Sequence, residues 1–189
     1  IVGDQPFVTD MPFTGVVLPA ARTACEVTRN GRIGIIGTPA TIRSGSYEKA
    51  IQKLHPEMTA FGQACPLFVH LVENGYTDFH NPVTRLVAEE DLEPVRKAGV
   101  DTLILGCTHY PVIRDIIADY MGPDVQLISS GAEAAKYARR CLEEQDLLTD
   151  RQTAGENTYY VSDSTEMFIE NAGHFLHRNV VGKVFRCNF

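Results

Sequence analysis

One pattern, repeated three times along this chain, sets narrow limits on its fold. In each copy an apolar run ends in a small polar loop, and apolar residues at helical spacing follow the loop. The three loops are Gly37-Thr38, Gly106-Cys107-Thr108 and Ser129-Ser130-Gly131. Strands that alternate with helices favour a mainly parallel sheet with helices on both faces. The carboxyl ends of such strands share one edge, and ligands bind there. The sequence therefore predicts an α/β fold whose three loops converge on one site.

Residues 100–111 are the most informative part of this pattern. Their apolar run ends at Gly106, and Cys107, Thr108 and His109 follow before a helical repeat begins after Pro111. Unpaired N–H groups at the start of a helix favour an anion, and they favour a thiolate over a thiol. We therefore expect Cys107 to be a base or nucleophile, with His109 controlling its protonation or acting as its proton partner.

Each candidate side chain also has a purely structural interpretation. His109 can cap the helix. Threonines such as Thr38, Thr41 and Thr108 are more often helix caps or turn residues than ligand-binding residues. Placed together at one sheet edge, the same threonines would offer hydroxyl and backbone donors to a carboxylate. Glu73, near the end of a predicted helix, is ordinarily a solvated charge. The residues alone leave both interpretations open.

Bulk composition argues against several classes of protein. The 189 residues carry a formal net charge of −7 and show no run of Lys or Arg, so we expect no nucleic-acid partner. No apolar stretch approaches the roughly 18 residues of a membrane span, so we expect no membrane partner. The five cysteines are widely spaced and contain no Cys-x-x-Cys pair, which predicts free thiols in a reducing compartment. The histidine spacing predicts no metal site.

Several local patterns predict individual helices, strands and loops. Phe13–Leu18 has the composition of a buried strand, and Thr38–Thr41 that of a loop. Pro94 should break or kink the helix expected around it. Ser130–Glu133 fits a capping box that opens a helix. Residues 146–157 have the composition of a linker.

The block Leu105-Gly-Cys-Thr-His-Tyr-Pro111 resembles the second half of bacterial glutamate racemases, within the aspartate/glutamate racemase superfamily. Five further anchors occur in the family's order: Gly15-Val-Val-Leu-Pro-Ala-Ala-Arg22, Ile35-Ile-Gly-Thr-Pro-Ala-Thr-Ile-Arg-Ser44, Ala64-Cys-Pro-Leu67, Val72-Glu-Asn-Gly75 and Ile128-Ser-Ser-Gly131. The resemblance implies the second half of a two-domain, pseudo-symmetric racemase fold. In that scheme residues 1–18 end the first domain, 19–128 form the second α/β domain with the Gly-Cys-Thr-His motif, and 129–189 return to the first domain.

The resemblance also implies an activity, namely cofactor-independent interconversion of L- and D-glutamate. Two cysteines face each other across the substrate; one thiolate takes the α-proton, and the other thiol returns a proton from the opposite face. Cys107 matches the second of these cysteines, His109 its auxiliary proton partner, and Glu73 an acidic position that assists the chemistry. The positions that match substrate-binding residues are Thr38, Thr41 and Thr108. Such enzymes supply D-glutamate for peptidoglycan synthesis in the cytoplasm, and homodimers are common among them.

The sequence departs from the family pattern in one important respect. The family's Asp-Ser-Gly loop, Pro-Tyr-Gly loop and Ala-Cys-Asn-Thr motif, which carries the other catalytic cysteine, do not occur in it. Cys25 follows Ala24, but Glu-Val comes next. The chain thus looks like a glutamate racemase without most of its first domain, and we expect it to be inactive alone.

Three other functions remain open at this point. One is racemisation of aspartate or another acidic amino acid. The second is hydrolysis with Cys107 as the nucleophile, which would form an acyl-enzyme, whereas a racemase forms no covalent intermediate. The third is a non-catalytic module that binds an acidic ligand or a protein.

Overall fold

A computed structural model describes residues 14–176 and 179–187. The chain divides into two compact units, with the boundary between Leu148 and Thr149. The described strands of the first unit are β1 (Arg32–Gly37), β2 (Thr59–Ala64), β3 (Thr102–Leu105) and β4 (Gln126–Ser129). Its described helices are α1 (Val17–Val27), α2 (Pro39–Ser44), α3 (Ser46–Leu54), α4 (Leu67–Glu73), α5 (Pro82–Lys97), α6 (Arg114–Met121) and α7 (Ser130–Glu144), with a 3-10 turn at Tyr110–Ile113.

The four strands form one parallel sheet in the order β2-β1-β3-β4. The two central strands are buried almost throughout, as their apolar sequences require. Ile36 of β1 pairs with Leu105 of β3, and Leu105 pairs with Ser129 of β4. The carboxyl ends of the three strands are therefore level, and the loops that follow them begin at one edge.

Helices cover both faces of this sheet, which confirms the predicted fold class. On one face, Ile35 and Ile104 belong to a buried cluster with residues of α1 and α3. On the other face α5 packs very closely. A Cβ atom added at Gly34 would lie 2.7 Å from Val95 and 2.8 Å from Leu103, so only glycine fits under that helix.

Two local predictions near the amino terminus are wrong. Phe13 lies outside the described residues, but Val17 and Leu18, predicted as strand, belong to helix α1. Thr38–Thr41 is not a loop, because Thr38 caps α2 and Pro39 is its first residue. A capping threonine followed by proline is a helix start signal, since proline has no N–H to leave unpaired there.

Two further predictions about helices also need correction. The predicted break at Pro94 does not occur, because helix α5 continues through it and the missing N–H falls in the last turns, opposite exposed Glu90. A kink at Pro94 stays a prediction. The helix-opening serine of α7 is Ser129, not Ser130, because the Ser129 hydroxyl accepts the N–H of Ala132. The proposed capping box at Ser130–Glu133 is therefore not formed.

The second unit is small. It contains β5 (Tyr159–Val161), which pairs in parallel with β6 (Val184–Arg186), and helix α8 (Thr165–Leu176). Residues 149–158 have neither helix nor strand, in agreement with the predicted linker. The division at Leu148 keeps α7 in the first compact unit, whereas the sequence division placed residues 129–148 with the terminal segment. In the part of the chain that the structure describes, no helix combines the length and apolar character needed to cross a membrane.

Candidate active site

Hydrogen bonds join the loops at the carboxyl edge of the sheet. The N–H of Gly106, just after β3, donates to the carbonyl of Ile36 in β1 at 2.8 Å. On the other side of β3, the hydroxyl of Ser130 donates to the carbonyl of Leu105 at 2.9 Å. The loops after β1, β3 and β4 therefore meet at one edge, as the repeated sequence pattern predicted.

The loop after β3 carries three predicted site residues, and α4 supplies a fourth. Sγ of Cys107 lies 3.7 Å from Nδ1 of His109, and Oγ1 of Thr108 lies 3.4 Å from the same nitrogen. Nε2 of His109 lies 2.9 Å from Oε1 of Glu73. A thiol, an imidazole and a carboxylate thus form one hydrogen-bonded line, although Glu73 is 36 positions away from His109 in the sequence.

This line determines how the imidazole carries its proton. A carboxylate only accepts hydrogen bonds, so Nε2 of His109 donates to Glu73. In the neutral ring Nδ1 is then the acceptor, and it faces the thiol of Cys107. A second proton on Nδ1 would instead point at the sulfur and stabilise a thiolate. The arrangement can therefore take a proton from Cys107 or return one to it.

Burial raises the pKa of the Cys107 thiol above its ordinary value. Backbone N–H groups of His109, Tyr110 and Thr108 are directed at the sulfur and lower the pKa, while the charge of Glu73 raises it. The expectation of a favoured thiolate is therefore wrong in its net direction. The N–H groups act as predicted, but loss of water around the sulfur has the larger effect. The raised pKa favours the thiol, the form that donates a proton.

Gly106 lets the Cys107 loop lie against β1. An added Cβ would stand 2.8 Å from the carbonyl oxygen of Ile36 and 3.2 Å from the ring of Tyr47. The first contact is with backbone, which cannot move aside without disturbing the sheet. Glycine is therefore required immediately before the thiol.

The two threonines after β1 form a pair of their own. Oγ1 of Thr38 lies 3.1 Å from Oγ1 of Thr41, and it also accepts the N–H of Thr41 as the cap of α2. The capping interpretation is thus correct for Thr38, whereas Thr41 lies within α2. They stand at the end of the strand beside β3, so their hydroxyls belong to the same edge as Cys107. Their role with a substrate stays a prediction.

Sequence reasoning missed three buried hydroxyl groups behind this loop. Tyr110 donates to the carbonyl of Cys65 at 2.8 Å, which ties the Cys107 loop to the end of β2. Ser130 bonds to Leu105, and Tyr47 is hydrogen-bonded to Ser130. Tyr110 stands beside the Gly-Cys-Thr-His motif, and Ser130 was singled out in the sequence only as part of a loop and as a helix cap.

The other cysteines fit structural roles. Cys25 and Cys65 are buried, and burial raises the pKa of each thiol. Cys141 and Cys187 are half-buried. All five cysteines are free thiols, as their spacing predicted. Within residues 14–176 and 179–187, no group of three or more His, Cys, Asp or Glu side chains is arranged to hold a metal ion.

These features define an α/β protein in which a thiol, an imidazole and a carboxylate are hydrogen-bonded at the carboxyl edge of a parallel sheet. The chain belongs to the Asp/Glu/Hydantoin racemase family, whose pattern matches residues 7–138. This finding confirms the family resemblance of the Gly-Cys-Thr-His block.

Individual relatives agree with that assignment. The chain is similar to the glutamate racemase of Geobacter metallireducens, with 45% identity over 166 residues that cover 88% of this chain and 61% of the relative. Its structure resembles a glutamate racemase isoform from Bacillus anthracis with a TM-score of 0.89 and 34% identity, covering 96% of this chain and 66% of that one. It also resembles the Francisella tularensis glutamate racemase solved with D-glutamate, with a TM-score of 0.80 and 31% identity over 92% of this chain and 62% of that one. The chain thus spans less than two thirds of the length of these relatives.

Proposed function

We propose that this chain provides the Cys107 half of a cofactor-independent glutamate racemase. The observation that carries the proposal is the line from Cys107 through His109 to Glu73, at 3.7 and 2.9 Å. It gives the thiol a partner that can accept its proton and a carboxylate that orients that partner. The relatives that are named glutamate racemases support glutamate as the substrate.

In this proposal Cys107 transfers a proton at one face of the substrate α-carbon. As a thiol it gives its proton to the α-carbanion, and in the reverse direction its thiolate takes the α-proton. His109 accepts or supplies the proton at Sγ between turnovers, since its Nδ1 faces the sulfur. Glu73 holds the ring in the required orientation through Nε2.

The substrate carboxylate would be bound by neutral donors. The hydroxyls of Thr38, Thr41 and Thr108 lie at the edge where the three loops meet. Hydroxyl donors hold a carboxylate without the positive charge of an arginine. Removal of a proton next to a carboxylate also requires preorganised donors and exclusion of water. We propose that a further domain closes over this edge, with residues 129–189 returning to it.

The second thiol of the two-cysteine mechanism would lie in that further domain. The sequence contains no Ala-Cys-Asn-Thr motif, and Cys25 is buried in the core instead. We therefore propose that residues 1–189 do not racemise glutamate by themselves. The complete enzyme would act in the cytoplasm, as a homodimer, to supply D-glutamate for peptidoglycan synthesis.

Exchange of the substrate α-proton with D₂O tests this function. The protein to use is the chain fused behind the first domain of a family member that carries the Ala-Cys-Asn-Thr motif. We expect L- and D-glutamate both to lose the α-proton signal in NMR spectra, and aspartate to exchange much more slowly. Faster α-proton exchange with aspartate than with glutamate would indicate that aspartate is the substrate.

Two other outcomes would contradict the proposal. A covalent acyl-enzyme at Cys107, detected by mass spectrometry, would indicate a hydrolase. Binding of glutamate without exchange in the fused protein would indicate a non-catalytic binding module.

A further inference from the structure

A buried hydroxyl group lies directly behind the Cys107 loop. Ser130 is the first residue of α7, and it is 5% exposed. Its Oγ donates a hydrogen bond of 2.9 Å to the carbonyl of Leu105. Leu105 and Ser129 are the last pair of the β3–β4 ladder. The Ser130 side chain therefore joins the two strands just beyond the point where they separate.

This hydroxyl is not needed to begin the helix. The cap of α7 is Ser129, whose Oγ accepts the N–H of Ala132 at 3.4 Å. The two adjacent serines thus make different hydrogen bonds. Ser129 caps its own helix, whereas Ser130 binds the end of the neighbouring strand β3. They form a natural matched pair for an experiment.

Tyr47 stands behind Ser130. It is 2% exposed, its hydroxyl is hydrogen-bonded to Ser130, and its ring lies 3.2 Å from the position of a Cβ at Gly106. Each hydroxyl has one proton to donate. Ser130 uses its proton for the carbonyl of Leu105. The result is a buried chain of hydrogen bonds that ends two residues before Cys107.

We propose that Ser130, supported by Tyr47, is a positioning residue for Cys107. By fixing the Leu105 carbonyl, it holds the peptide units that follow Gly106, and their N–H groups stay directed at the sulfur. The inference rests on the proposed function only in that it makes Cys107 the reacting group. It gives the second serine of the Ser129-Ser130 pair a role in setting the reactivity of a thiol in the loop after β3.

Loss of the Ser130 hydroxyl would change the peptide unit that it holds. Ser130→Ala would leave the buried carbonyl of Leu105 without this donor, and the peptide unit would turn to find another partner. The N–H groups of residues 108–110 would then point less well at the sulfur. Because those groups favour the thiolate, the thiolate would form at a higher pH.

The test is the pH dependence of alkylation of Cys107 by iodoacetamide, followed by mass spectrometry of its peptide. It uses the 189-residue chain and requires no turnover, so its result is independent of whether the chain is part of a racemase. The proteins to compare are the wild type, Ser130→Ala, Ser129→Ala and Tyr47→Phe. Thermal unfolding by circular dichroism records how much each substitution destabilises the fold.

We expect Ser130→Ala to move the alkylation midpoint upward by about half a pH unit, which lowers the rate below the midpoint about threefold. Ser129→Ala should lower the melting temperature but leave the midpoint unchanged. Equal effects of the two serine variants on alkylation, or no effect of either, would overturn the proposal. If Ser130→Ala does not fold, Tyr47→Phe decides, because it removes only the outer hydroxyl. An upward shift in that variant supports the proposal, and an unchanged midpoint overturns it.

Discussion

The carboxylate of Glu73 lies 2.9 Å from Nε2 of His109, and the opposite nitrogen of that ring faces the sulfur of Cys107 at 3.7 Å. One acidic side chain therefore acts on the thiol in two ways. It orients the imidazole, and its negative charge adds to the effect of burial in raising the pKa of Cys107. The two effects can be separated by experiment, because one governs turnover and the other governs the ionisation of the thiol.

Glu73→Gln should move the alkylation midpoint of Cys107 to lower pH, since it removes the negative charge of Glu73 that disfavours the thiolate. In the fused enzyme it should slow racemisation about tenfold, the cost of one hydrogen bond to a charged group. Glu143→Gln is the control, because Glu143 forms an ion pair with Arg139 on the surface of α7. A midpoint that stays in place or rises in Glu73→Gln would contradict the assigned electrostatics.

His109→Gln should lower kcat for racemisation about a hundredfold, since it removes the group that exchanges protons with Cys107. KM should change much less, because the imidazole is not among the proposed substrate-binding groups. His55→Gln provides the control: His55 lies 3.0 Å from Glu57 in an exposed pair of the same kind. If both histidine variants keep wild-type kcat, His109 is not a proton partner.

Gly106→Ala should destabilise the fold by about 1–3 kcal/mol, because the new methyl group would press on the carbonyl of Ile36. Gly131→Ala is the matched substitution in α7, where no atom lies within 4 Å of the added methyl group. It should be neutral or stabilising by about 0.5 kcal/mol. Urea unfolding of the two variants measures the difference. Equal stability would show that the loop before Cys107 is not held against β1.

The carboxylate of Asp101 should make the free energy of unfolding depend on pH. It is buried at the start of β3 and accepts hydrogen bonds from the hydroxyl of Thr28 and the N–H groups of Arg29 and Asn30. Burial acts to raise its pKa, but these hydrogen bonds, with one from Thr102, outweigh burial and hold the pKa below its usual value.

A carboxyl group with a depressed folded-state pKa stabilises the fold fully above its unfolded pKa of about 3.9, and this contribution is lost as pH falls through the folded pKa. Asp101→Asn should therefore cost about 1–3 kcal/mol near neutral pH and progressively less below about pH 4. Asp119→Asn, which breaks only the exposed pair with Arg85, should cost less than about 1 kcal/mol. A constant difference between wild type and Asp101→Asn across this pH range would contradict the account.

The sequence was sufficient to predict the parallel sheet, the edge at which its loops meet, and the residues of the Gly-Cys-Thr-His block. These follow from local sequence patterns, which are visible without knowledge of how the elements pack. The line from His109 to Glu73 needed the family resemblance, because no spacing rule connects positions 36 apart.

Two features of the site could not be predicted from the chain alone. The net direction of the Cys107 pKa depends on how much water the folded protein removes from the sulfur, which no local pattern encodes. The contact of Ser130 with Leu105 depends on which of two adjacent serines caps α7. Both serines fit the helix-capping preference equally well, so only the tertiary structure shows that Ser129 is the cap.

In the proposed function, Cys107 is one of the two proton-transferring groups of a glutamate racemase. Circular dichroism of L-glutamate and of D-glutamate with the fused enzyme tests it most directly, with Cys107→Ala beside Cys141→Ala, a substitution of a half-buried thiol on α7. The account predicts interconversion in both directions, retained in Cys141→Ala and abolished in Cys107→Ala. Continued racemisation by Cys107→Ala would contradict it.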